Sequence, residues 1–390
     1  MKYDFDTLPS RRGTGCAKWD DFDQDVIPMW VADMDFYSPE PVVQALHERV
    51  SHGVFGYPTD AAQDADCIRQ VVVDRLRELY HWEVEPDDLI FTPGVIPGFN
   101  LACRAMATPT GQVMVMPPVY PPFLSAQGNA GMSRLDVQLI QYPNGAYGID
   151  WDVMEQAITD LTRLFILCNP HNPVGRVYTK EELLRMGEIC LKRGVVICSD
   201  EIHCDLIYRG YQHIPIASLE TEIAQNTMTL IAPSKTFNLA GLKCAVAIIQ
   251  NPDLREKFRN AGKGLVSEVN VLGLAAARAA YQHGQEWLDQ LMIYLEGNRD
   301  WLDDFVAKEL PGVSMLKPEA TYLAWLDCRS LGLAPNPYEF FLKKARVALV
   351  DGSIFGKGGE GFVRLNFGCP RSMLVEGLGR MKRALEERGN

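Results

Sequence analysis

Several features are missing from this 390-residue sequence, and each absence narrows what it does. It has no Lys/Arg-rich block, and 38 basic residues against 50 acidic ones leave a net charge of −12. A surface of that sign is a poor partner for nucleic acid or an anionic membrane. No apolar run reaches membrane-spanning length, and the opening MKYDFDTLPSRR lacks the apolar core of a secretion signal, so a cytoplasmic protein is expected. The ten cysteines form no CxxC pair and show no zinc-like spacing with the seven histidines. Cys103, Cys168, Cys198 and Cys244 stand inside apolar runs, which suits buried reduced thiols and argues against a disulfide framework or a metal site. Repeats, low-complexity tracts and Pro/Ser-rich linkers are also absent.

What is present reads as a large globular chain, 47% hydrophobic and 23% charged. The length exceeds one ordinary domain, so two packed units are expected. We place a large unit at 45–285 and a smaller α/β unit at 286–390, completed by 1–44. Ser38-Pro39 reads as a cap and first-turn proline opening a helix to about Val50. Ile68, Val71, Val72, Leu76 and Leu79 follow helical spacing in a helix from about Asp64 to Tyr80. Short apolar runs then alternate with helical stretches: Leu89–Phe91, Val113–Met116, Leu164–Leu167, Val195–Cys198, Met228–Ala232 and Cys244–Ile249. A helix lies between the first two, from about Ile96 to Met106, and Thr179 with Glu182 forms a capping box opening another to about Lys192. This alternation predicts an α/β fold with a mostly parallel sheet covered on both faces. Long helical segments follow Val271, and β-type runs at Tyr322–Leu326, Ala348–Val350 and Phe362–Phe367 belong to the smaller unit.

In such sheets ligands gather beyond the carboxyl ends of the strands, and the polar motifs of this chain stand there. The run TLIAPSKTFNLAGLK ends a strand in Ser234-Lys235. Alone, Lys235 reads first as a solvated loop cation and only second as an amine made nucleophilic by desolvation. Its company decides: Gly94, Tyr120, Asn172, Asp200, His203, Ser234 and Lys243 stand at or just beyond the ends of neighbouring strands. Singly, Asp200 would be a cap, Tyr120 a packed loop aromatic, Asn172 a turn former and His203 a structural histidine. Together they suit pyridoxal 5'-phosphate. Lys235 would carry the amine that links to the aldehyde, and Asp200 would keep the pyridine nitrogen protonated. Asn172 would donate to the phenolate oxygen, and Tyr120 would stack on the ring. The phosphate would rest on the N–H groups of Gly94, Val95 and Ile96 where a helix starts, with Ser234 and Lys243 adding a hydroxyl and a cation.

NPHNPVG, SDEIH, SKTFNLAGLK and RLNFGCP resemble, in order and spacing, the fold type I pyridoxal-phosphate enzymes of the aspartate aminotransferase superfamily. The resemblance runs over nearly the whole chain, and KWD, WVADMDF and GVIPGFNLA are similar to the cystathionine β-lyase, or C–S lyase, branch of the MalY/PatB type. It implies that Arg364 binds the substrate α-carboxylate, joined by Asn172 and Ala32. It also implies that Tyr57 reaches the phosphate of a neighbouring subunit, so that a homodimer shares its active sites. Two positions depart from the general aminotransferase pattern. His203 stands in place of a tyrosine, as in the lyase branch, and Lys243 in place of an arginine, which keeps the charge but loses the bidentate fork.

The implied reaction is α,β-elimination from a small-molecule amino acid bearing sulfur on Cβ, with Lys235 moving the Cα proton and Lys235 or Tyr120 assisting the thiolate. An aminotransferase of the same fold is the alternative. A regulatory binding protein with secondary lyase activity is a third reading, without a partner surface in the sequence to support it.

Overall fold

The computed structural model describes residues 2–58 and 63–389, without the side chains of 63–67 and 389. Seven strands form the central sheet: β1 (Leu89–Thr92), β2 (Gln112–Val115), β3 (Ser133–Asp136), β4 (Thr162–Cys168), β5 (Val196–Asp200), β6 (Thr227–Ile231) and β7 (Ala245–Ile248). Their order is β1-β7-β6-β5-β4-β2-β3, and only β7 runs antiparallel to its neighbours. The expected mostly parallel sheet is therefore present.

The strands read as continuous apolar runs because both faces are covered. Along β4, Leu164 and Ile166 join one core with Phe99, Phe123 and Leu230, while Phe165 and Leu167 join another with Leu183, Met186 and Ile197. Successive side chains point to opposite faces, so an unbroken apolar sequence feeds two cores. β3 escaped the sequence reading because it is a partly exposed edge strand, Ser-Arg-Leu-Asp, with the polarity that edges carry.

Helix α1 (Glu40–Ser51) begins differently from the expectation. Pro39 occupies the cap position with no side-chain cap bond, and Ser38 Oγ instead donates to the Asn238 carbonyl at 3.2 Å. The helix Gln63–Tyr80 follows; the expected start at Asp64 falls where side chains are not described. The capping box of Thr179 and Glu182 opens α2 (Lys180–Arg193) as expected.

A second, antiparallel sheet holds β8 (Ser314–Met315), β9 (Leu323–Asp327), β10 (Val350–Asp351) and β11 (Phe362–Asn366), in the order β8-β9-β11-β10. The run expected at Ala348–Val350 is divided: Val347–Ala348 pairs with Ile27–Pro28, whereas Val350 pairs with Arg364 on β11. Here the chain leaves one pairing for another. A 25-residue helix, α3 (Gln285–Glu309), and α4 (Arg371–Gly389) pack on this side. One cluster of buried side chains runs from Phe5 and Met29 through Val72 and Val246 to Leu326 and Leu374. Among the described residues no helix is long and apolar enough to cross a membrane.

Candidate active site

The strand ends converge because their registers align. Cys168 lies opposite Asp200, and Asp200 opposite Leu230, so β4, β5 and β6 finish together. Asn172 follows β4 in a loop, Asp200 closes β5, and Lys235 sits in the single turn Pro233–Thr236 just past β6. Gly94 follows β1 with φ +119°, a conformation glycine adopts without strain, and caps a helix from Val95 to Ala105 that has no side-chain cap. The antiparallel β7 enters the sheet from this same edge, with Ala245 opposite Thr92. Lys243, exposed and left-handed at φ +53°, thereby stands beside the Gly94 turn although it precedes a strand.

Asp200 is buried, and its only side-chain hydrogen bond among the described residues comes from the Ile202 N–H at 3.1 Å. Burial pushes its carboxyl up to about 7, with Glu201 adding to the rise and Lys235 opposing it. Lys235 Nζ donates to the Ala32 carbonyl at 2.6 Å. Burial brings the ammonium down to about 8 against the pull of Asp33 and Asp200. Arg364, on β11, donates to Asn172 Oδ1 at 3.0 Å and to the Trp30 carbonyl at 3.2 Å, while its Nε has no partner. Burial pulls this guanidinium down to about 10. His203 is held neutral by burial, at about 3, and its Nδ1 is likewise without a partner. The Tyr120 ring meets Phe123 edge-on, and burial followed by the charge of Asp200 raises its hydroxyl.

Four residues without a role in the sequence reading complete the surroundings. Tyr322 OH donates at 2.9 Å to the same Ala32 carbonyl that accepts from Lys235. Asn238 and Asn366 bind the backbone around residues 31–36, and Asp35 accepts from Arg11, Lys18 and Trp19. Both asparagines lie inside the SKTFNLAGLK and RLNFGCP motifs, but their partners are about 200 and 335 residues away, beyond the reach of local pattern. Ser234 is half-buried without a side-chain hydrogen bond among the described residues, and Ile96 is 45% exposed. Tyr57 is 97% exposed and joins no contact of the site within the single chain.

A lysine at a strand end, a buried carboxylate without an ion pair one strand away and a buried arginine across from both form a candidate ligand site in an open α/β fold. The chain belongs to the aminotransferase class I and II family, which it matches over residues 24–381. It is 43% identical to the cystathionine beta-lyase PatB of Bacillus subtilis, covering 98% of this chain and 99% of that protein. Among solved structures it resembles cystalysin from Treponema denticola, which contains pyridoxal 5'-phosphate, with a TM-score of 0.94, 34% identity and complete coverage of both chains. The pyridoxal-phosphate-bound C–S lyase of Staphylococcus hominis gives a TM-score of 0.91 at 33% identity over 99% of each chain.

The residues present fit that cofactor. A carboxyl held near neutrality for want of a cation, as Asp200 is, matches a protonated ring nitrogen. A helix N-terminus without a side-chain cap, at Gly94 to Ile96, matches a phosphate, since the first N–H groups of a helix have no partner within it.

Proposed function

We propose that the protein is a pyridoxal-phosphate-dependent C–S lyase that eliminates a thiol from L-cystathionine or a related S-substituted L-cysteine, the three-carbon enamine that remains being hydrolysed by water to pyruvate and ammonia. Arg364, steadied by Asn172 Oδ1, binds the α-carboxylate of the substrate through its guanidinium fork. Asp200 would pair with the ring nitrogen, and Asn172 and His203 would border the same ring. Gly94, Val95 and Ile96 hold the phosphate through their backbone, with Ser234 and Lys243 beside them. The bound cofactor supplies an electron sink for the pair left on Cα. Lys235 Nζ, lowered to about 8 and so partly neutral near neutral pH, takes the Cα proton. The same Nζ, now charged, or Tyr120 OH gives a proton to the departing sulfur. Ala32 offers its carbonyl to Lys235 and lines the carboxylate side.

The observation that supports this reading best is the full-length identity to a cystathionine beta-lyase, joined to a site of matching chemistry. Transamination shares the Cα proton transfer, and names alone divide the relatives: the putative aminotransferase of Clostridium difficile is 37% identical with a TM-score of 0.94, whereas the aspartate aminotransferase of Pyrococcus abyssi is 24% identical. The test is to add L-cystathionine to the holoenzyme with no 2-oxo acid present and to follow pyruvate. Steady release over many turnovers is expected. A single stoichiometric event that continues only with an oxo acid would establish the aminotransferase instead.

Two further readings belong to this proposal. The enzyme acts as a homodimer in the cytoplasm, with Tyr57 completing the phosphate site of the partner subunit. Tyr37, Val43, Val50, Val54, Phe55 and Tyr57 are all exposed within one short stretch, as suits a face that another subunit covers. Residues 45–285 and the remainder form two units, with the amino acid bound where they meet.

A further inference from the structure

The segment Trp30–Phe36 lies across the site as a strap, and six of its seven backbone carbonyls accept a hydrogen bond from a side chain elsewhere in the chain. Lys235 Nζ and Tyr322 OH share the carbonyl of Ala32, and Arg364 binds that of Trp30. Two side-chain amides grip the strap from opposite sides. Asn366, two residues after Arg364 and 1% exposed, donates to the carbonyls of Val31 and Asp33 at 2.7 and 2.8 Å, and its Oδ1 accepts from the Gly368 N–H at 2.8 Å. Asn238, three residues after Lys235, donates to the carbonyls of Met34 and Phe36 and accepts from the Met34 N–H, each at 2.9 Å. It does so from a left-handed backbone, φ +60°, which asparagine tolerates better than most residues. The outer side of the strap is anchored separately, since buried Asp35 accepts from Arg11 Nη1 and Lys18 Nζ at 2.7 Å and from Trp19 Nε1 at 2.8 Å.

The amine that moves the proton and the guanidinium that holds the carboxylate sit on different sheets, β6 leading to one and β11 carrying the other. Each is followed within three residues by an asparagine, and both asparagines bind the same short peptide. We propose that Asn238 and Asn366 are positioning residues which clamp the strap and thereby fix the spacing between Lys235 Nζ and the Arg364 guanidinium. An amide is the group suited to this task. Its two N–H donors serve two carbonyls while its oxygen takes an N–H, whereas a carboxylate would face those carbonyls with no donor. Displacements of about 1 Å at such distances can reduce turnover by about a hundredfold.

The kinetic arm of the test rests on the lyase reading; the exchange arm does not. Asn366→Ala should speed amide hydrogen exchange in 30–36, at the Met34 and Asp35 N–H groups above all, while thermal unfolding of the holoenzyme stays cooperative. Its KM for an S-substituted cysteine should rise about tenfold, equivalent to roughly 1.4 kcal/mol, with kcat within about threefold of the parent. Asn238→Ala should speed the same amides but lower kcat more than it raises KM, because its end of the strap bears on Lys235. The double variant should lose less than the product of the two single losses, since one strap is released in both. Unchanged exchange in the strap, KM and kcat both within about twofold, or fully multiplicative losses would overturn the proposal. Should either asparagine variant fail to fold, Arg11→Ala loosens the strap from its outer side; unaltered exchange and KM in that variant would overturn the proposal equally. If the parent enzyme makes no pyruvate, the lyase reading fails while the exchange result still decides the clamp.

Discussion

Asp200 is placed where it harms the protein until the cofactor arrives, and this can be measured. Its carboxyl is pushed from 3.8 to about 7 by burial without a cation. At about 1.4 kcal/mol per decade, that difference is worth about 4 kcal/mol at most. The sign follows from proton counting: between pH 3.8 and about 7 the folded chain holds the Asp200 proton and the unfolded chain has lost it. Stability of the cofactor-free protein therefore falls as pH rises through this window. The amide introduced by Asp200→Asn cannot ionise, and its oxygen can still accept from the Ile202 N–H. Urea unfolding of both cofactor-free proteins near pH 4.5 and pH 7.5 isolates the effect, because other groups cancel between parent and variant. The parent should lose more stability than Asp200→Asn on going from pH 4.5 to 7.5, by up to about 3 kcal/mol. With the cofactor bound the advantage should reverse, since a positive ring nitrogen then meets a carboxylate in the parent and only an amide in the variant. Equal pH dependence in the two cofactor-free proteins would refute the reasoning.

Lys235→Ala should abolish turnover and the visible absorbance of the linked cofactor together; retention of both would remove this lysine from the chemistry. Arg364→Ala should raise KM by about a hundredfold, in line with the roughly 2–5 kcal/mol lost when one partner of a buried charged pair is removed, and leave cofactor affinity unchanged. An unaltered KM would show that the carboxylate is held elsewhere. Tyr57→Phe should weaken cofactor retention without shifting the monomer–dimer balance seen in sedimentation, because only the hydroxyl is removed from a face that stays apolar. Equal cofactor affinity in Tyr57→Phe and the parent would take the residue out of the partner's phosphate site.

The sheet and the cluster of polar strand ends were legible because both follow from short-range rules. Apolar runs such as Leu164–Leu167, alternating with helical stretches, read as strands covered on both sides, and the residues after parallel strands lie at one edge. β3 was hidden by its polar edge composition, and Ser38 misled because a serine before a proline looks like a cap even when its hydroxyl serves Asn238 instead. The surroundings of the site were the least legible part. Tyr322, Asp35, Asn238 and Asn366 act through partners far along the chain, and no spacing within a motif encodes such a distance. Lys243 shows the intermediate case. Motif resemblance put it near the phosphate, but the reason a residue ahead of a strand stands with residues behind strands is the reversed direction of β7.

The strap has a consequence for how the protein comes into being. The Asn366 amide that grips its peptide is made 335 residues after it. At about 5–20 residues per second, the central strands, complete at Ile248, have on the order of ten seconds to pair before that amide exists. The strap is therefore gripped from both sides only once β11 is made, and a chain ending before β11 has neither Arg364 nor the Asn366 half of the clamp. Competence arrives only once β11 is made, so fragments lacking β11 should be silent rather than loosely active.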